Sequence, residues 1–180
     1  MPQPRELGFV LQAKFDEDHL DDTVTGILRT GFLIYINCDN VYWFSKEHTS
    51  VDSSRFDSEF LAMKQCCEYL LEICYKLQMK GIPCEGPVRI SGDNQSVLAK
   101  RTIPDSTLKK ESQSIAYHFI REGSAQDKWR TSYVNNHDNE ADLLTKLLPS
   151  GERRKGFVWK LLNHIFQTNT SAASVTWGVD

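Results

Sequence analysis

Apolar and polar residues alternate from Leu7 to about Phe15, and again through "GFLIYIN" (31–37) and "VYWFSK" (41–46), with "CDN" between the last two. A period of two puts successive side chains on opposite faces, so a meander of three strands is expected. The pattern changes over 55–80, "RFDSEFLAMKQCCEYLLEICYKLQMK", where Phe56, Phe60, Met63, Cys67, Leu70, Cys74 and Leu77 recur at spacings of three and four. That is the period of an amphipathic helix, and Gly81-Ile82-Pro83 stops it. Beyond it the pattern predicts a strand in "VRIS" (88–91), a helix from about Asn94 and a polar loop "RTIPDSTLKKES" (101–112). A helix through "IAYHFIRE" (115–122), a strand "WRTSYV" (129–134) and a helix in "EADLLTKLL" (140–148) follow. The order βββαβααβα implies an α/β domain over residues 1–150. An amphipathic helix in "ERRKGFVWKLLNHIF", assigned to 151–166, is expected to pack on the domain, with 167–180 as a flexible tail.

Composition narrows the class only modestly. The chain has 180 residues, enough for one domain with a sizeable core, and 40% hydrophobic with 11% aromatic residues is a globular balance. A net charge of -3 excludes a global basic field, so a nucleic-acid partner would rest on local clusters such as Lys109-Lys110, Lys128-Arg130 and Arg153-Arg154-Lys155. Five cysteines, two of them adjacent, show no zinc-type spacing and read as reduced structural thiols. No signal-like leader or membrane-length apolar run is present in the sequence, which points to an intracellular protein, cytoplasmic or nuclear, with no membrane partner. Gly-rich phosphate loops and nucleophile elbows are missing too, which argues against small-molecule chemistry of those kinds.

Four acids sit where the pattern does not ask for them. Glu59 falls on the edge of the long helix's apolar stripe, where it either faces the sheet or snorkels to water. Asp93 follows the strand "VRIS" in "GDNQSV", where open sheets present ligands and where an Asp or Asn also serves as a helix cap. Asp142 lies three residues after Asn139, an arrangement that Asn139 as N-cap and Asp142 in the first turn would also explain. Asp16 ends the first strand's alternation, an ordinary place for an acid to open a turn. Taken together, the four could converge if the first and fourth strands were central and the long helix crossed one face. Clustered carboxylates in a partly buried cleft need cations, and hard oxygen donors select Mg²⁺ or Mn²⁺.

The blocks "GDNQSV", "SEFLAM", "WFSKEHTSV", "YHFIRE" and "ADLLTK" resemble, in order and spacing, the ribonuclease H domain of copia-type retrotransposon polyproteins over residues 7 to 148. The resemblance implies an α/β, RNase H-like fold: a mixed five-stranded sheet, its first three strands antiparallel, with helices on both faces. It also implies endonucleolytic cleavage of the RNA strand of RNA–DNA hybrids by two divalent ions. The family's acids carry over to Asp16 in "FDED", Glu59 in "SEFLA", Asp93 in "GDNQS" and Asp142 in "ADLLTK". On that basis Asp16 would bridge both ions, Glu59 and Asp93 would hold the leaving-group ion, and Asp142 would help hold the nucleophile's ion. Asn94 and Gln95 become candidates for reading 2′-hydroxyls, and Lys109, Lys110 and Arg121 for phosphate contacts. A reverse transcriptase region would be supplied elsewhere. The chain departs from the family in "DEDHLDD", where Glu17 and Asp21 add negative charge beside the site, and in "DSTLKKESQSIA" before "YHFIRE". His137 lies five residues before Asp142 and reads as an exposed loop histidine. The alternative is a catalytically inactive RNase H-like module that binds nucleic acid or a protein. Retention of all four carboxylates weighs against that, and the chain order of Glu59 before Asp93 weighs against a transposase or integrase core.

Overall fold

A computed structural model describes residues 9–18, 28–48, 55–84, 86–100 and 111–162. Lys109, Lys110, Asp21, most of the 101–112 segment and the 167–180 tail lie outside them. The chain divides into two units, Met1–Lys146 and Leu147–Asp180.

In the first unit, β1 (Leu11–Asp18), β2 (Leu28–Ile36) and β3 (Asp39–His48) form the expected antiparallel meander. The helix α1 (Arg55–Met79) leads to β4 (Val88–Gly92), then α2 (Gln95–Lys100), α3 (Glu111–Ala125) and β5 (Trp129–Tyr133). The five strands make one sheet in the order β3-β2-β1-β4-β5, in which β4 runs parallel to β1 and to β5. A 3-10 turn (Asn136–Asp138) and the four-residue helix α4 (Asp142–Thr145) follow as the last described elements of the unit.

Several element ends differ from the pattern's expectation, each for a local reason. β1 runs past Phe15 to Asp18 because residues 15–18 pair with 29–32 of β2, so Asp16 lies inside the ladder and does not open a turn. β2 starts at Leu28, which leaves Gly31 in a strand interior rather than at its head. α3 begins at Glu111, taking the end of the expected loop. α4 is less than half the length expected, because Lys146 is extended (φ -112, ψ 145) and Pro149 disfavours helical backbone at the residue before it.

Strand pleating explains how the sheet keeps two different faces. Phe15, Phe32 and Phe44 form one cross-strand row, and the next row is Asp16, Gly31 and Ser45. Adjacent residues of a strand point to opposite sides, so the aromatic row lies under α1 while the small polar row lies under α4. Phe32 stacks on Phe44 at 4.7 Å between ring centroids, and Tyr69 of α1 closes over Phe32 at 5.3 Å. Phe60, Met63, Cys67 and Leu70 are buried in this core, as the helical stripe predicts; Ala62 and Cys66 are buried as well, so the stripe is broader than the spacing suggested. α1 also packs on α3.

α1 ends in a double backbone cap. The Ile82 N–H donates to the Leu77 carbonyl at 2.9 Å and the Gly81 N–H to that of Gln78 at 2.9 Å, with Gly81 at φ 74. A glycine supplies that left-handed angle without strain. The α3–β5 contact depends on a second glycine: a Cβ at Gly123 would fall 1.9 Å from the Trp129 ring. Trp129 is buried there and its indole N–H donates to the Ile120 carbonyl at 3.1 Å.

The second unit contains α5 (Glu152–Leu162), the described part of the helix expected to 166. Its one buried residue is Phe157, flanked by Arg153 at 5.3 Å and Lys160 at 5.9 Å from the ring centroid.

Candidate active site

The acids come together because β1 and β4 are parallel neighbours and α4 docks on the opposite face from α1. Gln12, Ala13 and Lys14 pair with Arg89, Ile90 and Ser91, so extending the register sets Asp16 beside Asp93 just past the end of β4. Gly92 permits this close turn: a Cβ there would meet the Phe15 ring at 2.5 Å.

α4 is seated by the polar row. The Thr145 hydroxyl donates to the Asp16 carboxylate, and the Ser45 hydroxyl donates to the Leu144 carbonyl at 2.7 Å. Between them Gly31 has no side chain to hold the helix away, since a Cβ would lie 2.7 Å from Thr145 Cγ2 and 2.8 Å from Leu144 Cβ. Lys14, on the same face, pairs with Glu140 and helps fix the approach to α4.

Asn139 was expected to cap the late helix, and its actual role is broader. It is fully buried, donates its amide to the Phe15 carbonyl at 3.0 Å, and accepts from the Ala141 N–H at 3.3 Å. The residue in the cap position of α4 is Ala141, which makes no side-chain cap bond. Asn139 therefore fastens the turn before α4 to β1, because a buried amide must satisfy both its donor and its acceptor.

Carboxylate oxygens of Asp16, Asp93 and Asp142 all lie within 4.8 Å of one another. Asp16 is 3% and Asp142 0% exposed, and Asp93 is half-buried. The capping alternative for Asp93 is taken up by its neighbour: the Asn94 side chain accepts from the Val97 N–H at 3.3 Å. Glu59, buried near the start of α1, lines the same cleft of about 510 Å³ without joining the three-carboxylate group. Gln95 lies on the rim with Asn94, and Arg121 is exposed on α3 outside the cleft lining. His137 is exposed in the 3-10 turn, its N–H held by the Asn135 side chain at 3.0 Å.

Glu17, expected beside the site, shares the cleft with residues not singled out from the sequence. These are Tyr133 and Asn136 on its wall, and Lys146, which reaches into it. The Lys146 ammonium lies 2.9 Å from Asp142 and 3.2 Å from Asp16. Burial alone would push this lysine's pKa down, but the charges of Asp16 and Asp142 and their hydrogen bonds outweigh it, and the net direction is up. Thr145 and Lys146 were discoverable from "ADLLTK", since positions three and four after Asp142 share its helix face.

All the ligand atoms in the cluster are hard carboxylate oxygens, and a cationic nitrogen already lies against two of them. This donor set fits a small divalent ion such as Mg²⁺ or Mn²⁺.

No family model matches the chain. Solved structures do: RNase H1 from the halophilic archaeon Halobacterium salinarum superposes with a TM-score of 0.56 at 18% identity, covering 74% of this chain and 92% of that one. The fold is RNase H-like. LC11-RNase H1, solved in complex with an RNA/DNA hybrid, matches with a TM-score of 0.56 at 13% identity, over 74% of this chain and 92% of its own. In sequence, this RNase H-like chain is 29% identical over 138 residues to the retrovirus-related Pol polyprotein from transposon RE2 of Arabidopsis thaliana, covering 77% of this chain and 10% of that protein. It is 25% identical over 142 residues to the corresponding polyprotein from transposon TNT 1-94 of Nicotiana tabacum, covering 78% of this chain and 10% of that protein. The resemblance to a retrotransposon RNase H domain is thus borne out, and the chain spans about a tenth of the length of the curated relatives it matches. Among the described residues, no helix is long and apolar enough to cross a membrane.

Proposed function

We propose that this chain is a metal-dependent endonuclease that cleaves the RNA strand of RNA–DNA hybrids, with the hydrolase carried by residues 1–150. The observation behind the reading is the convergence of Asp16, Asp93 and Asp142 from β1, the end of β4 and α4 onto one small volume. These three carboxylates would hold the divalent ions, and Glu59 would complete the set from the cleft wall. Bound ions would supply an activated water and offset the charge that develops on the scissile phosphate.

The protein's own contribution is placement. Asp16 is fixed by the β1 ladder and by Thr145, and Asp142 by α4, so the negative charges need little reorganisation when a phosphate arrives. Gln95, Tyr133 and Asn136, which line the cleft, carry donors and acceptors suited to 2′-hydroxyls in a wide minor groove. Asn94 is proposed to read a 2′-hydroxyl as well, from a side chain whose oxygen already caps α2. Lys109, Lys110 and Arg121 are the proposed phosphate contacts, and a reverse transcriptase region encoded elsewhere is the proposed companion.

The test is purified protein with an end-labelled RNA–DNA hybrid and Mg²⁺, beside Asp93→Asn and an EDTA control. Wild type should cut internally within the RNA strand, and the variant should be slower by a hundredfold or more. Equal cutting by the two proteins would identify a contaminant. Binding of hybrid without cutting by wild type would replace this reading with the inactive binding module.

A further inference from the structure

The side chain of Lys146 lies within the space the acids share. Its Nζ is 2.9 Å from Asp142 Oδ1 and 3.2 Å from Asp16 Oδ2, while those carboxylates are 0% and 3% exposed. Two carboxylates this close and this dry repel each other strongly unless a cation intervenes. Lys146 is tied to the spot by backbone as well, since its N–H donates to the Asp142 carbonyl at 2.9 Å and closes α4. A divalent ion coordinating Asp16 and Asp142 would take oxygen lone pairs that the ammonium now contacts, and its charge would oppose the ammonium's at short range.

We propose that Lys146 is a built-in counter-cation of the acid cluster: it gathers Asp16 and Asp142 before metal arrives, and the incoming divalent ion must displace it. This rests on reading Asp16, Asp93 and Asp142 as metal ligands. The lysine thereby keeps the metal-free site assembled, at the cost of weaker ion affinity. Once displaced, its four-carbon stem lets the ammonium swing to the cleft mouth, where a substrate phosphate would accept it. Ion loading and hybrid binding would then reinforce each other.

The experiment measures Mn²⁺ binding to the metal-stripped full chain by the electron paramagnetic resonance signal of free Mn²⁺, without nucleic acid. Lys146→Met, which keeps the stem and removes the charge, should bind Mn²⁺ at least about tenfold more tightly than wild type. Lys146→Arg, which keeps the charge, should stay within about threefold of wild type. In EDTA, Lys146→Met should melt at a lower temperature than wild type, and saturating Mn²⁺ should erase the difference. A Lys146→Met protein that folds only with Mn²⁺ present would support the same conclusion. Unchanged or weaker Mn²⁺ affinity in Lys146→Met overturns the proposal, as does failure of that variant to fold with or without the ion. Hybrid cleavage by wild type separates the two ideas: Mn²⁺ tightening without cleavage would leave the counter-cation standing and remove the nuclease. No Mn²⁺ binding by any of the proteins would remove both.

Discussion

Replacing Gly31 with alanine adds one methyl group at the point where α4 meets the sheet. An ideal Cβ there lies 2.7 Å from Thr145 Cγ2 and 2.8 Å from Leu144 Cβ, about 1 Å inside ordinary carbon–carbon contact. Neither neighbour is the far end of a flexible chain, so the strain must be relieved by retreat of α4 itself. Retreat by about 1 Å would break the Thr145–Asp16 and Ser45–Leu144 hydrogen bonds, each worth about 1 kcal/mol net, and overpacking adds about 1–3 kcal/mol. Alanine regains about 0.5–1 kcal/mol because glycine is a poor strand residue. The balance is a destabilisation of about 2–4.5 kcal/mol, together with an Asp142 displaced from Asp16. Urea denaturation followed by circular dichroism measures the first, and Mn²⁺ titration the second. Gly123→Ala is the control: its Cβ would strike the Trp129 ring, so it should lose stability while its Mn²⁺ affinity stays at the wild-type value. A Gly31→Ala protein as stable as wild type, with unaltered ion affinity, would refute the account of how α4 is seated.

Asn139→Ala should cost about 2–4 kcal/mol in urea denaturation, because it strands the buried Phe15 carbonyl and Ala141 N–H together. Iodoacetamide on the native protein should alkylate exposed Cys38 and spare fully buried Cys66 and Cys67, whose thiols burial pushes up; peptide mass spectrometry reads the pattern. Cys74 is pushed up to about 12 by burial, then by its hydrogen bond with Cys84 and by that residue's charge. A folded state that holds these protons more tightly than the unfolded chain is fully stabilised below the ordinary thiol pKa of 9.0 and loses stability as pH rises above it. Urea midpoints should therefore fall between about pH 8 and pH 10 and recover on return.

Local periodicity was enough to reveal α1, since Phe60, Met63, Cys67 and Leu70 repeat at helical spacing and all are buried. It also showed the alternation of β1 to β3. It could not reveal where β1 stops, because "FDED" is polar by composition and only the pairing of 15–18 with 29–32 keeps it in the sheet. Glycine 31 carried a clue, a side chain missing from a strand, but the neighbour that needs the space is more than a hundred residues away. The acids were conspicuous one at a time; whether Asp93 or Asn94 caps α2 is a matter of side-chain rotamer, which spacing does not encode. For Lys146 the only clue was its place four residues after Asp142, and a basic residue at the end of a short helix is also what the helix dipole alone would favour.

The division of the carboxylates among residues 16, 93 and 142 has a temporal side. During translation the β1, β2 and β3 segments leave the ribosome well before α4 is made, and only α4 brings Asp142 and Lys146 to the others. A half-made chain thus carries Asp16 with neither its positive neighbour nor its third acid, and the cluster is whole only once synthesis has passed position 146.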